Sequence, residues 1–206
     1  MRHALVALVF AASSVLVACD RNAAPAPPPN TSSAQTAAAP SGAAGTPASA
    51  AAPTTPTADT GEVAVGKPPP DFSFKTHDGE SMKLSSLKGK PVVLYFYPKD
   101  ETPGCTAEAK DFRDQWKDLE KKGVTVIGIS TDTPESHKAF ATHHNLPFHL
   151  VSDESGTIAK SFGVPNRAGF LARQTFVIGA DGNVKKIYRD VDVSKHVSEV
   201  LADLQS

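Results

Sequence analysis

Beyond residue 61, short apolar runs alternate with segments in which apolar residues recur at helical spacing. The continuous apolar runs at residues 92–97 and 124–130 predict two buried strands. Residues 103–122, followed by Gly123, predict a helix between them. One face of this helix carries residues at spacings of four and three, so we expect the Cys105 side chain to lean toward the domain body; these residues are Cys105, Ala109, Phe112, Trp116 and Leu119.

The rest of this region continues the alternation of strands and helices. Thr133-Pro134-Glu135 opens a capped helix that ends near Asn145. The other predicted elements are a hairpin (72–75 with 82–84), a strand (148–151), a short helix (157–162), a hairpin around Asp181-Gly182 (175–178 with 184–188) and an amphipathic helix (194–204). This order predicts an α/β fold with a mixed central sheet flanked by helices.

The first nineteen residues have the layout of a secretory signal. Arg2 supplies a positive charge, and the apolar residues 4–17 are too few to favour a spanning helix. The segment ends in Leu16-Val17-Ala18-Cys19, which resembles the bacterial lipobox, in which the cysteine is lipidated and becomes the mature N-terminus. Ordinary signal cleavage after small residues is the alternative. Asp20 favours the inner membrane by the retention rule of enteric lipoproteins. We therefore expect a lipid-anchored protein on the periplasmic side of the cell envelope.

Residues 20–61 consist mainly of Ala, Pro, Ser and Thr, without an aromatic residue. Such a segment cannot bury enough apolar surface to offset the entropy of ordering, so we predict a disordered tether. A flexible coil of this length spans roughly 35 Å. Residues 62–206 are long enough for one domain with its own core. The net charge of −1 gives no reason to expect a nucleic-acid partner.

Cys105 is the one cysteine outside the leader. It follows the strand at 92–97, and Thr102-Pro103 predicts a helix N-cap with proline in the first helical position. Unpaired N–H groups and the helix dipole favour a thiolate in that first turn. The alternative is a small buried hydrophobe. An exposed position at a strand-to-helix turn favours the nucleophile.

The charged and histidine-rich segments do not predict a metal site. His137 and His143 are poorly spaced for one helix face, and no cluster of Cys, Asp or Glu lies at ligand spacing. Asp100 and Glu101, beside Lys99, are most simply interpreted as a solvated rim.

Several segments together resemble one family, the peroxiredoxins, and within it the bacterioferritin-comigratory-protein group, also called PrxQ. The resemblance covers essentially residues 62–206 and rests on the segments 96–108, 128–130, 133–137, 146–148, 150–153 and 173–178. It implies a thioredoxin-like fold and a thiol peroxidase without a cofactor, acting on hydrogen peroxide or organic hydroperoxides. A monomer or weak dimer is expected.

The resemblance also implies roles for individual residues. Cys105 matches the peroxidatic cysteine, and Thr102 matches the threonine that holds the peroxide in line with the sulfur. Pro98 matches the proline that shields the sulfur from water, and Arg173 the arginine that stabilises thiolate and peroxide. The N–H groups of Gly104 and Cys105 would meet the charge that grows on the leaving oxygen. Without the family, Arg173 could be a solvated charge at a strand start.

One departure concerns the second thiol. Many PrxQ enzymes carry a resolving cysteine five residues after the first, where this chain has Lys110. The chain therefore resembles the one-cysteine version, which needs an external thiol from a thioredoxin-like protein, a glutaredoxin-like protein or a small molecule. Two alternatives on the same fold are a peroxide-sensing lipoprotein and a thiol–disulfide exchange protein. Glu108 in place of the second cysteine of Cys-x-x-Cys argues against the latter.

Overall fold

The structure is a computed structural model that describes residues 63–204. The predicted signal (1–19) and tether (20–61) lie outside the described residues, as do the first and the last two residues of the predicted domain. Among the described residues, no helix has the length and apolar character needed to cross a membrane.

The described chain alternates strands and helices in the predicted order. The strands are β1 (Ser73–Lys75), β2 (Ser81–Lys83), β3 (Val92–Phe96), β4 (Thr125–Ser130), β5 (His149–Ser152), β6 (Asn166–Arg167), β7 (Phe170–Leu171), β8 (Gln174–Ile178) and β9 (Val184–Tyr188). The helices are α1 (Pro103–Asp114), α2 (Trp116–Lys121), α3 (Pro134–His144), α4 (Thr157–Ser161) and α5 (His196–Asp203), and a 3₁₀ turn spans Leu84–Leu87.

Five strands form the central sheet in the order β5-β4-β3-β8-β9. The pairs β3–β4 and β4–β5 are parallel, whereas β3–β8 and β8–β9 are antiparallel. The predicted mixed sheet is therefore confirmed. Since Phe96 lies opposite Gln174 in the β3–β8 register, the residue before β8 lies next to the loop that leaves β3.

Strand β3 is buried over its whole length because both faces of the sheet are covered. Leu94 and Phe96 belong to one core, with Phe162 and Phe176 among its members. Val93, Tyr95 and Tyr97 belong to a second core on the opposite face, which also contains Cys105 and Phe112 of α1. The alternation of side chains along β3 thus places the cysteine against a packed aromatic layer.

The predicted helix over 103–122 is interrupted. Gln115 leaves helical geometry at φ −95° and ψ 8° and separates α1 from α2. Its carbonyl accepts two hydrogen bonds, one of the 3₁₀ pattern from Asp118 N at 3.1 Å and one of the α-helical pattern from Leu119 N at 3.3 Å. The break could not be predicted from the sequence, because the apolar periodicity continues across Gln115 without interruption.

Two short antiparallel ribbons lie outside the central sheet. The predicted first hairpin forms as β1–β2, with Phe74 opposite Met82. The ribbon β6–β7 was not predicted, because two-residue strands carry no detectable periodicity. It lies just before Arg173 in the chain.

Candidate active site

The loop after β3 delivers Cys105 to the first turn of α1. Thr102 is the N-cap residue, at φ −76° and ψ 147°, and Pro103 occupies the first helical position. The first helical hydrogen bond runs from Thr106 N to Thr102 O at 2.8 Å. The N–H groups of Gly104 and Cys105 precede this bond, so the helix itself offers them no carbonyl. They are donors at the positive end of the helix dipole.

Cys105 is 2% exposed, so the expected exposed position is wrong. It faces the second core because it shares a helix face with Ala109 and Phe112. The alternative of an inert buried thiol does not follow, since Arg173 Nη2 lies 3.2 Å from the sulfur. The β3–β8 pairing accounts for this contact across 68 residues of sequence separation. Arg173 is therefore not a solvated charge.

A buried carboxylate on α1 holds the other side of the guanidinium. Glu108 is fully buried and forms an ion pair with Arg173 through Oε2 and Nη1. Burial raises the pKa of Glu108 to about 7, although the Arg173 cation acts to lower it. Burial also opposes the charge on Arg173, but Glu108 and Cys105 outweigh it and raise the pKa of that guanidinium.

From the sequence, Glu108 counted only against thiol–disulfide exchange, because it stands where a Cys-x-x-Cys motif has its second cysteine. The signal that could have identified it is its position three residues after Cys105, which puts both side chains on neighbouring positions of one helix face. A carboxylate on an otherwise apolar face needs a cation or a proton.

The buried polar groups around Cys105, which are Arg173 and Glu108, continue to His196 on α5. His196 is fully buried; its Nε2 lies 2.9 Å from Thr175 Oγ1 and 3.9 Å from Glu108 Oε1. Burial, and then the Arg173 charge, lower the pKa of His196 to about 4. The imidazole of His196 is therefore neutral at physiological pH, so the positive charge beside Glu108 is that of Arg173.

Thr102 and Pro98 lie on the loop between β3 and α1, and both are half-buried. The Thr102 hydroxyl donates to the Lys99 carbonyl at 2.9 Å. Its oxygen keeps lone pairs that can accept a further hydrogen bond. A β-carbon added to Gly104 would lie 3.4 Å from Arg173 Nη2, at the short end of van der Waals contact, so the backbone at Gly104 runs close beside the guanidinium.

Asp100 is 5% exposed, so its interpretation as part of a solvated rim is wrong. It accepts hydrogen bonds from Tyr97 Oη and Ser136 Oγ, both at 2.7 Å, and lies 3.0 Å from His137 Nδ1. Burial acts to raise its pKa, but the His137 and Tyr97 contacts hold that pKa below the usual range. Tyr97 directly follows β3, whereas Ser136 and His137 lie on α3. Asp100 therefore anchors the loop between β3 and α1 (residues 97–102), here called the active-site loop, to α3.

Two groups of side chains offer a metal-ligating set among residues 63–204. One is Glu101 with His143 and His144, and the other is Asp78 with Glu80 and His149. Spacing along the sequence did not predict the first group, because Glu101 meets the two imidazoles across more than forty residues.

The fold and this site define a thioredoxin-like protein with a buried cysteine held against an arginine at a helix N-terminus. Residues 65–187 match the AhpC/TSA family model. The chain is 50% identical over 148 residues to chloroplastic peroxiredoxin Q of Populus jackii, covering 70% of each chain. It is 45% identical over 149 residues to the putative peroxiredoxin bcp of Coxiella burnetii, covering 69% of this chain and 99% of that one.

The solved structures agree with the sequence relatives. Peroxidoxin BcpB of Mycobacterium tuberculosis has a TM-score of 0.65 at 35% identity and covers 70% of this chain and 97% of its own. The bacterioferritin comigratory protein of Xanthomonas campestris has a TM-score of 0.61 at 33% identity and covers 65% and 90%. The chain belongs to the AhpC/TSA family and, within it, to the peroxiredoxin Q/bcp group. It is a thiol peroxidase that acts through a peroxidatic cysteine, and the predicted fold and enzyme class are confirmed.

Proposed function

We propose that Cys105 is the peroxidatic cysteine of a one-cysteine enzyme that reduces hydrogen peroxide and organic hydroperoxides. The observation that carries the assignment is the 3.2 Å contact between Arg173 Nη2 and the Cys105 sulfur. A guanidinium that stays charged stabilises the thiolate, which is the nucleophilic form. Alkyl peroxide reduction is the activity attributed to the Xanthomonas relative, which supports organic hydroperoxides as substrates here.

In the proposed first step the thiolate attacks the near oxygen of the peroxide, and the O–O bond breaks. The sulfur is oxidised to a sulfenic acid, and the leaving oxygen departs as an alcohol or water after taking up a proton. The N–H groups of Gly104 and Cys105, together with Arg173, meet the negative charge that develops on the oxygens. The Thr102 hydroxyl donates to Lys99 O and accepts from the peroxide O–H, which aligns the substrate. Pro98 limits water at the sulfur.

External thiols complete the proposed cycle. A first thiol condenses with the sulfenic acid, which releases water and leaves a mixed disulfide. A second thiol attacks that disulfide, which restores Cys105 and carries away the oxidised reductant. Lys110 stands where a resolving cysteine would lie, and Cys19 is the only other cysteine in the sequence. A thioredoxin-like protein, a glutaredoxin-like protein or a small thiol is the proposed donor.

We also propose that the enzyme works at the cell envelope, lipid-anchored through Cys19 on the periplasmic side, with Asp20 favouring the inner membrane. The support is the signal-like segment 1–19, its ending Leu16-Val17-Ala18-Cys19 and the polar segment 20–61. Mass spectrometry of the mature N-terminus should find an acylated cysteine. An unmodified terminus at another residue would contradict the anchor.

The enzymatic proposal is tested by following peroxide consumption by the full chain with thioredoxin, glutaredoxin or a small thiol as donor. Multiple turnovers are expected with at least one donor and none with Cys105→Ser. Consumption of a single equivalent with every donor would favour a peroxide sensor instead. Reduction of a protein disulfide without peroxide would favour thiol–disulfide exchange.

A further inference from the structure

Three potential metal ligands from two separate elements converge beside the active-site loop. Glu101 directly precedes the N-cap residue of α1, whereas His143 and His144 are the last two residues of α3. Glu101 Oε1 lies 2.9 Å from His143 Nδ1, and Glu101 Oε2 lies 2.9 Å from His144 Nε2. One ligand atom from each of the three side chains lies within 4.8 Å of the other two.

The convergence of the two histidines is not what a regular helix produces. Consecutive helical residues point about 100° apart, yet these two rings stack at a centroid distance of 4.3 Å and an angle of 29°. His144 is held by an edge contact with Phe140 at 5.0 Å, and its carbonyl accepts from Arg113 Nη1 at 3.0 Å. Its ring is therefore fixed with Nε2 directed at Glu101.

Glu101 reaches the histidines from a strained backbone. Its φ of 57° lies in the left-handed region, which is costly for a residue with a β-carbon. Such strain persists only where the surroundings impose it, and it concentrates at functional sites.

The accessibility of the group suits a ligand from solvent. The side chains of His143 and Glu101 are 68% and 49% exposed, whereas that of His144 is 8% exposed. His144 is thus the fixed, buried side chain, and Glu101 and His143 are accessible from solvent. A metal ion could enter from that exposed side and bind water in its fourth coordination position.

We propose that Glu101, His143 and His144 form a binding site for a divalent first-row transition metal, with Zn²⁺ as the best match. Two imidazole nitrogens and a carboxylate oxygen suit Zn²⁺ rather than Ca²⁺ or Mg²⁺, which prefer oxygen ligands. Tetrahedral zinc places its ligand atoms ~3.4 Å apart. The carboxylate oxygen that binds the ion would therefore move about half an ångström away from the imidazole nitrogen that it now contacts at 2.9 Å, and the other imidazole nitrogen would approach that same oxygen. The ion would join the active-site loop to α3. The site is independent of the peroxidase roles proposed for Cys105 and Arg173.

The test is Zn²⁺ titration by calorimetry on the full chain, with Cys19 and Cys105 replaced by serine so that no thiol can bind the metal. We expect one saturable site per chain. His143→Gln should weaken it at least about tenfold, because loss of even an outer-shell partner costs about ten- to a hundredfold in affinity. Since His143 is exposed, that variant keeps the fold, which circular dichroism would verify.

Glu101→Gln should weaken the site similarly and remove the rise in melting temperature that Zn²⁺ produces in the parent. His149→Gln, in the second carboxylate–histidine group, is the matched control and should leave the affinity unchanged. Co²⁺ in place of Zn²⁺ should give the intense visible bands of a tetrahedral nitrogen and oxygen site. The proposal is overturned if the parent shows no saturable binding, or if neither His143→Gln nor Glu101→Gln weakens it.

Discussion

Glu108 should make the stability of this domain fall as pH rises, against the usual expectation for an ion-paired carboxylate. Its pKa is raised by burial from 4.5 to about 7. A carboxyl that holds its proton more tightly when folded stabilises the protein below its unfolded pKa of 4.5, and this contribution is lost as pH rises through the folded value. At about 1.4 kcal/mol per pKa unit, the free energy of unfolding should fall by about 2.5 kcal/mol between pH 5 and pH 8.

The titration of His196 changes the free energy of unfolding in the opposite direction, so its contribution must be separated from that of Glu108. Burial and Arg173 lower its pKa to about 4, so its contribution is present above the unfolded value of 6.5 and is lost as pH falls toward 4. Between about pH 4.5 and 6.5 the two slopes oppose each other, and the parent alone would show little pH dependence there. A comparison with Glu108→Gln removes the His196 contribution, because folded His196 stays neutral above about pH 5 in both proteins.

The assay is urea unfolding of the parent and of the Glu108→Gln variant from pH 5 to pH 8, followed by the fluorescence of the single tryptophan, Trp116. Both proteins carry Cys105→Ser so that the thiol does not titrate. The free energy of unfolding of the parent, minus that of the variant, should decrease by about 2.5 kcal/mol across the range. A difference that stays constant would refute the reasoning, because it would mean that Arg173 outweighs burial and keeps Glu108 ionised throughout.

Three further changes test the site and its supporting loop. Arg173→Ala should slow the peroxide step about 10²–10³-fold in stopped-flow measurements, as removal of a positioned charge-stabilising donor does; a parental rate would show that its role is misassigned. Asp100→Ala should lower the free energy of unfolding by about 3 kcal/mol, because it leaves several buried polar partners unsatisfied; a change under about 0.5 kcal/mol would contradict the network. Lys110→Cys places a thiol about 140° around α1 from Cys105, so an internal disulfide should form after peroxide only if the first turns of the helix unwind. Mass spectrometry that finds only dimedone-trapped sulfenic acid in that variant would show that α1 does not open.

Local patterns were sufficient to predict the secondary-structure elements around Cys105. The apolar run at 92–97 and the Thr102-Pro103 start of a helix specify strand, loop and helix through interactions between near neighbours. The split of the helix at Gln115 was missed, because an apolar stripe continues across a single tightened turn. The two-residue ribbon β6–β7 was missed because it is too short to show a period.

The sequence by itself determined the order of the elements, the place of Cys105 in the first turn of α1 and the absence of a second thiol near it. Only the tertiary structure decided what surrounds the sulfur. Arg173 reaches Cys105 because β8 pairs with β3, and Glu108 and Asp100 are buried because a helix face and α3 close over them. Burial and charge contacts depend on segments that are distant in the chain, so they cannot be predicted from local sequence propensities.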